Sequence, residues 1–275
     1  MSFIMVKNIL ILIYFFSFST FAESLLIESK SQNKAYTSKS LLNHKQTKTI
    51  SIPKDPSYGN VPATLQVIPL HELFKDLNIS NEQVIQFHCA DGFSAPLNTI
   101  LALNNKKDKA IAYLAIEDPQ NKWSPLPKKE QSAGPFRIVW VNPEKSNIVQ
   151  EQWPYMITSF SIKESLQSAY PKIYPNKNLK ENDPVKKGFK VFLTNCFACH
   201  KMNQQGEGEI GPDLNHPMNP TEYFKESALR KLIRNPRSVR AWKGSLMPDF
   251  DKEEISDKEL NELIAYLKHM TSRKN

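Results

Sequence analysis

Asp183-Pro-Val-Lys-Lys-Gly188-Phe-Lys-Val-Phe192-Leu-Thr-Asn-Cys196-Phe-Ala-Cys199-His200 is the stretch that decides the fold of the last third of this 275-residue chain. Asp183 can cap a helix, Pro184 suits its first turn, and the helix is predicted to run through Gly188 and Phe192 into the cysteines. Two thiols three residues apart share one helical turn, so both can reach the vinyl groups of a haem and form thioether bonds. His200 follows at once and can offer an imidazole nitrogen to the iron beneath the ring. A thioredoxin-like redox pair would follow a strand, whereas this pair ends a helix. A zinc site would need a second ligand pair, which Cys89 and the scattered histidines do not supply.

Further on, Ser256 can cap a helix in which Leu260, Leu263, Ile264 and Leu267 repeat with helical spacing and form one apolar face. This helix and the one carrying Gly188 are expected to cross. Residues 184–275 thus read as an all-α domain, and they resemble class I cytochromes c. The resemblance implies that Gly188 permits close approach of the terminal helices, with Tyr266 packed against it. It also implies that the Pro212 carbonyl, in Ile210-Gly-Pro-Asp-Leu214, accepts the second ring N–H of the iron-bound histidine. A sixth ligand is expected from a methionine on a loop before the last helix. Met247, in Gly244-Ser-Leu-Met-Pro-Asp-Phe250, has the family's Met-Pro context. Met202 lies too near His200 in sequence, Met218 too near the Pro212 loop, and Met270 beyond the apolar face; His216 and His269 stay open as alternatives.

Arg230, Lys231, Arg234, Arg237, Arg240 and Lys243 form a basic run leading into the Met247 loop. Such a run is ordinarily a solvated face; its position also suits docking or the haem propionates, for which Arg240 and Trp242 are the best single candidates.

Upstream the pattern changes. Residues 50–168 alternate short β-branched and aromatic runs (Ala63 to Leu70, Val84 to Cys89, Lys109 to Ile116, Phe136 to Val141, Met156 to Ile162) with turn clusters, and predict a β-rich α+β domain with one short helix over His71 to Leu77. Residues 169–183, with Pro171 and Pro175 among polar residues and Pro184 just after, read as a linker, and residues 23–49, rich in Ser, Lys, Asn and Gln, as a flexible leader. Residues 1–22 read as a signal peptide: Lys7, the apolar run Ile9 to Phe16, and small residues at Thr20 and Ala22. The expected location is therefore periplasmic. No membrane span is expected once the signal is removed, because the apolar run is short and broken by Ser17, Ser19 and Thr20.

Phe87-His-Cys89-Ala-Asp-Gly-Phe-Ser-Ala-Pro-Leu97 is the distinctive stretch of the first half. With Trp123-Ser-Pro-Leu-Pro127, Gly134-Pro-Phe-Arg-Ile-Val-Trp140 and Glu151-Gln-Trp-Pro-Tyr155, it resembles a truncated molybdopterin-binding domain of the sulfite oxidase type. That resemblance implies Cys89 as a molybdenum ligand and a molybdopterin held by basic residues, for which Lys106, Lys107, Lys128 and Lys129 are available. A buried structural thiol is the plainer reading of Cys89.

The formal charge of +8 is mild and accompanies no nucleic-acid module; it suits attraction to an acidic redox protein. The leading expectation is a monohaem electron-transfer cytochrome rather than a self-contained enzyme. The alternatives are a molybdenum-dependent sulfite dehydrogenase passing electrons internally to its haem, and a haem sensor or peroxidase with an open sixth site.

Overall fold

The computed structural model describes residues 24–127, 129–242 and 244–274. The expected signal peptide lies outside the described residues, as do Lys128 and Lys243.

Alternation begins with the first described residues. In β1 (Ser24–Glu28), Leu25 and Ile27 are fully buried while Ser24 and Glu28 face water, the period-two pattern of a half-buried strand. β2 (Asn33–Thr37) pairs with it antiparallel, and helix α1 (Ser38–Leu42) follows, capped by Thr37 and anchored by buried Leu41. This corrects the expectation of a flexible leader over residues 23–49: its polar composition masked three apolar anchors spaced to reach one core.

The β-rich unit continues through β3 (Lys48–Asp55), β4 (Val61–Pro69), α2 (Leu70–Phe74), β5 (Val84–Cys89), β6 (Ser94–Asn98), α3 (Thr99–Ala102), β7 (Ile111–Ile116), β8 (Phe136–Val141) and β9 (Ile157–Lys163). The strands form two sheets, ordered β2-β1-β9-β5-β6 and β3-β4-β7-β8. All pairings are antiparallel except β1 with β9, which run parallel with Leu26 opposite Ser159. Both sheets send apolar side chains into one core, where Phe74 meets Phe160 edge-on at 5.3 Å. A fully buried ion pair joins Arg137 on β8 to Asp55 at the end of β3, with N–O distances of 3.0 and 2.6 Å, and the guanidinium lies against the rings of Tyr58 and Trp123. The bidentate geometry compensates charges that would otherwise be costly to bury.

After α4 (Leu166–Ala169) the chain enters a second core. Tyr170 and Ile173 are buried there, the Ile173 carbonyl accepts from Tyr266 Oη at 2.7 Å, and the Asn176 N–H donates to His269 Nε2. Residues 169–183 are therefore a strap laid on the helical unit and not a loose linker, because the aromatic and aliphatic residues between the prolines supply burial.

Helix α5 (Pro184–Asn195), capped by the Asp183 carboxylate, packs against α8 (Asp257–Met270), capped by Ser256 with Glu259 returning the bond. Between them lie α6 (Pro220–Tyr223) and α7 (Glu226–Arg234). A Cβ on Gly188 would stand 1.9 Å from the Glu262 carbonyl oxygen, so only glycine permits this crossing. The nearest atoms to Gly188 are main-chain atoms of Glu262 and Leu263, and Tyr266, further along α8, packs against Phe189 and Phe192. No helix among the described residues is long and apolar enough to cross a membrane.

Candidate functional site

The cysteine motif sits where α5 ends. Cys196 caps the helix, its N–H reaching back to the Phe192 carbonyl, and the His200 N–H bonds to the Cys196 carbonyl at 2.9 Å, so the motif keeps one further turn. Cys196, Cys199 and His200 are partly exposed; Phe197 and Ala198, between the cysteines, are buried. All three cysteines of the chain are free thiols, and burial first, then nearby Asp91 and Glu151, pushes Cys199 up to about 12. Both motif thiols are thus neutral at pH 7, since burial also raises Cys196.

His200 is fixed by what surrounds its ring. Nδ1 lies 2.7 Å from the Pro212 carbonyl oxygen, which can only accept, so Nδ1 carries the proton. Burial holds the imidazole below its usual pKa, against the opposing effects of Pro212 and Asp213, so the neutral ring presents Nε2 with its lone pair available. Gly211 makes room: a Cβ there would lie 2.3 Å from His200 Cε1. The loop between the motif and Pro212 is pressed on the motif by two further glycines. A Cβ on Gly208 would stand 2.5 Å from the Ala198 carbonyl oxygen, and one on Gly206 would meet the Phe197 ring at 2.8 Å.

Of the methionines after the motif, Met202 and Met270 are fully buried in the second core, and Met218 is exposed on the surface. Met247 is partly buried against that core, on an irregular segment between α7 and α8. Arg234 anchors the end of that segment: its Nη1 donates to the carbonyls of Phe250, Asp251 and Ile255, and its Nη2 to Asp257 at 3.0 Å. The two histidine alternatives are engaged elsewhere, His216 Nε2 with the Lys274 carbonyl at 3.1 Å and His269 Nε2 with the Asn176 N–H. Arg240 lies 5.4 Å from the ring of exposed Trp242.

Residues 185–271 match the cytochrome c family model. No curated protein matches the chain. The match supports haem-binding electron transfer, with a redox partner, for this region. Its donor set fits haem c by the structure's own test: two neutral thiols at the required spacing, and an imidazole with one nitrogen committed to Pro212 and space kept clear by Gly211. The match lies wholly in the last third of the chain, and nothing ties the two-sheeted unit to the sulfite oxidase type.

Cys89 ends β5 inside the first core, 7% exposed. Burial, then the charges of Asp91 and Cys199, raise its pKa well above the usual thiol value, as for a buried packing thiol. Lys129 is engaged with Tyr155, and Lys145 with the Lys107 carbonyl. Among the described residues no three His, Cys, Asp or Glu side chains converge to hold a metal ion.

Two features were not foreseen from sequence. Asn203, Asn215 and Asn219 are buried in a chain: Asn219 donates to Asn215 and the Leu267 carbonyl, Asn215 to Asn203 and the Met270 carbonyl, and Asn203 to the Lys172 and Arg273 carbonyls. They satisfy the open carbonyls at the end of α8 and bind the motif loop to it. The only hint in the sequence was three asparagines close together after the motif. The second feature is the contact between the two units beside Ala198, described below.

Proposed function

We propose that this protein carries one covalent haem c, attached through Cys196 and Cys199, and acts as an exported electron-transfer cytochrome of the periplasm. The observation that carries the reading is the His200–Pro212 bond. It fixes the tautomer, orients the ring and leaves the other nitrogen free, so that it could hold a haem iron. Met247 would be the second protein side chain to hold the haem iron: alone among the methionines after the motif, it combines partial burial with a place on a loop. When bound, the haem supplies one-electron exchange between ferrous and ferric iron. The chain's residues hold and orient. Cys196 and Cys199 tether, His200 stays neutral and fixed, Gly211 keeps its ring's space, and Arg234 anchors the Met247 segment to α8.

The exposed Trp242 and Leu246, with Arg237 and Arg240 nearby, support a redox partner of acidic surface, since desolvated aromatics and arginines dominate binding sites. An absorption spectrum of both oxidation states, with metal content on the same sample, tests the reading. Low-spin haem in one-to-one iron stoichiometry is expected, and Met247→Ala is expected to convert it to a high-spin form that binds carbon monoxide when reduced. A low-spin spectrum unchanged by Met247→Ala would show the ligand assignment to be wrong. Stoichiometric molybdenum would replace the carrier reading with the enzyme one.

A further inference from the structure

The two units meet at the cysteine motif itself. The turn between β5 and β6 is set by Gly92 at φ +87° and by Asp91, whose carboxylate accepts from the Phe93 N–H. This turn exchanges two main-chain bonds with the helical unit. Ser94 N–H donates to the Ala198 carbonyl at 3.0 Å, and Glu209 N–H donates to the Gly92 carbonyl at 3.0 Å. Ala198 is the residue before Cys199, and its carbonyl is the atom against which Gly208 packs.

Beside these bonds stands Glu207, on the loop that Gly206 and Gly208 press against the motif. Its carboxylate accepts from Tyr170 Oη at 2.6 Å, pairs with Lys163 Nζ of β9 at 2.9 Å, and lies 3.4 Å from His88 Nε2 of β5. Tyr170 Oη is also 3.3 Å from Gln86 Oε1, and Gln86 is fully buried. One side chain of the helical unit therefore gathers the strap and two strands of the β-rich unit. A cleft along the seam is lined by Glu207 together with His88, Cys89, Ser94 and Lys201. Burial opposes the Glu207 charge, but Tyr170, Lys163 and His88 outweigh it and hold the carboxyl below its usual range.

We propose that the β-rich unit is a fixed wall of the haem-attachment segment, with Glu207 as the positioning residue that holds it closed, and that by keeping water from the Cys199 side it raises the reduction potential of the haem. The inference rests on the haem reading above. Its physical basis is the extra positive charge of the ferric state, which water stabilises; excluding water favours the ferrous state and raises the potential.

The sign of one measurement separates this from simple electrostatics. Deleting a carboxylate near the iron, and leaving Lys163 uncompensated, by itself favours ferrous iron and raises the potential. If Glu207 acts by holding the wall, its removal admits water and the potential falls. In haem-loaded full-length protein, Glu207→Ala is expected to lower the potential. It is also expected to speed hydrogen exchange at the Ser94 and Glu209 amides by at least about tenfold, while amides of β7 in the first core are unchanged. Tyr170→Phe keeps every charge and loses one bond to Glu207, so it is expected to move both readouts the same way by less, and it serves if Glu207→Ala does not fold. A potential that rises or stays put in Glu207→Ala, or seam amides that exchange no faster than in the parent, overturns the wall. A parent protein without covalent haem, visible in its spectrum before any variant is made, overturns the underlying reading instead.

Discussion

Glu151 is a single residue with an unusual environment. It stands in a short turn between β8 and β9, where burial pushes its carboxyl from 4.5 up to about 7, with Glu254 adding repulsion, and its charge is felt at both Cys196 and Cys199. Below pH 4.5 the folded and unfolded chains both hold the proton and nothing is lost. Between 4.5 and 7 the unfolded chain releases it first, so stability falls as pH rises and stays low above 7. Glu151→Gln is expected to leave stability at pH 4 unchanged and to raise it at pH 8 by about 1–3 kcal/mol. Denaturant curves at the two pH values check this, and an equal effect at both would sink it. The motif of the proposed haem site could be read at this level because that chemistry would demand fixed residue types at fixed spacing, and Cys196, Cys199 and His200 lie within one short stretch of sequence. Glu151, Glu207 and the three buried asparagines were not legible. A polar residue reads as surface until its partners are known, and theirs come from elements tens of residues away.

Among the elements, the crossing of α5 and α8 carries the helical unit. Phe192, Phe197 and Tyr266 are almost wholly buried around it, each worth roughly 2 kcal/mol of transfer free energy. Gly188→Ala places a methyl group inside the Glu262 carbonyl, so the helices must separate or shift. It is expected to cost about 2–4 kcal/mol, read as a lowered denaturation midpoint with secondary structure retained; a loss below half a kcal/mol would mean that the crossing is loose. The two long helices were legible because Asp183, Pro184 and Ser256 mark their starts and Leu260, Leu263, Ile264 and Leu267 mark a face. β5 and β8 were equally plain as short apolar runs between turn residues. β1 and β2 were lost because five-residue strands in polar surroundings carry only two or three apolar residues each, and the strap was lost because prolines outweighed Tyr170 and Ile173 in its reading.

Across the whole molecule, two cores meet at one seam whose central carboxylate, Glu207, titrates in acid. The carboxyl of Glu207 is depressed in the folded state, so its contribution is complete above the unfolded carboxylate value and is lost as pH falls through the folded one. Acidification below about pH 4.5 is therefore expected to loosen the seam before either core: the Ser94 and Glu209 amides lose protection at a pH where β7 and α8 keep theirs. Simultaneous loss at all three places would show that the molecule opens as a single unit. The parallel pairing of β1 with β9 bears on how such a chain is made. A strand that emerges first must wait, its edge open, until Ser159 has emerged to meet Leu26. The cysteines follow within a few tens of residues. In vectorial synthesis the closing of the first sheet and the arrival of Cys196 and Cys199 thus fall almost together, and the ledge formed by Gly92 and Ser94 takes its final shape just as the segment it will support appears.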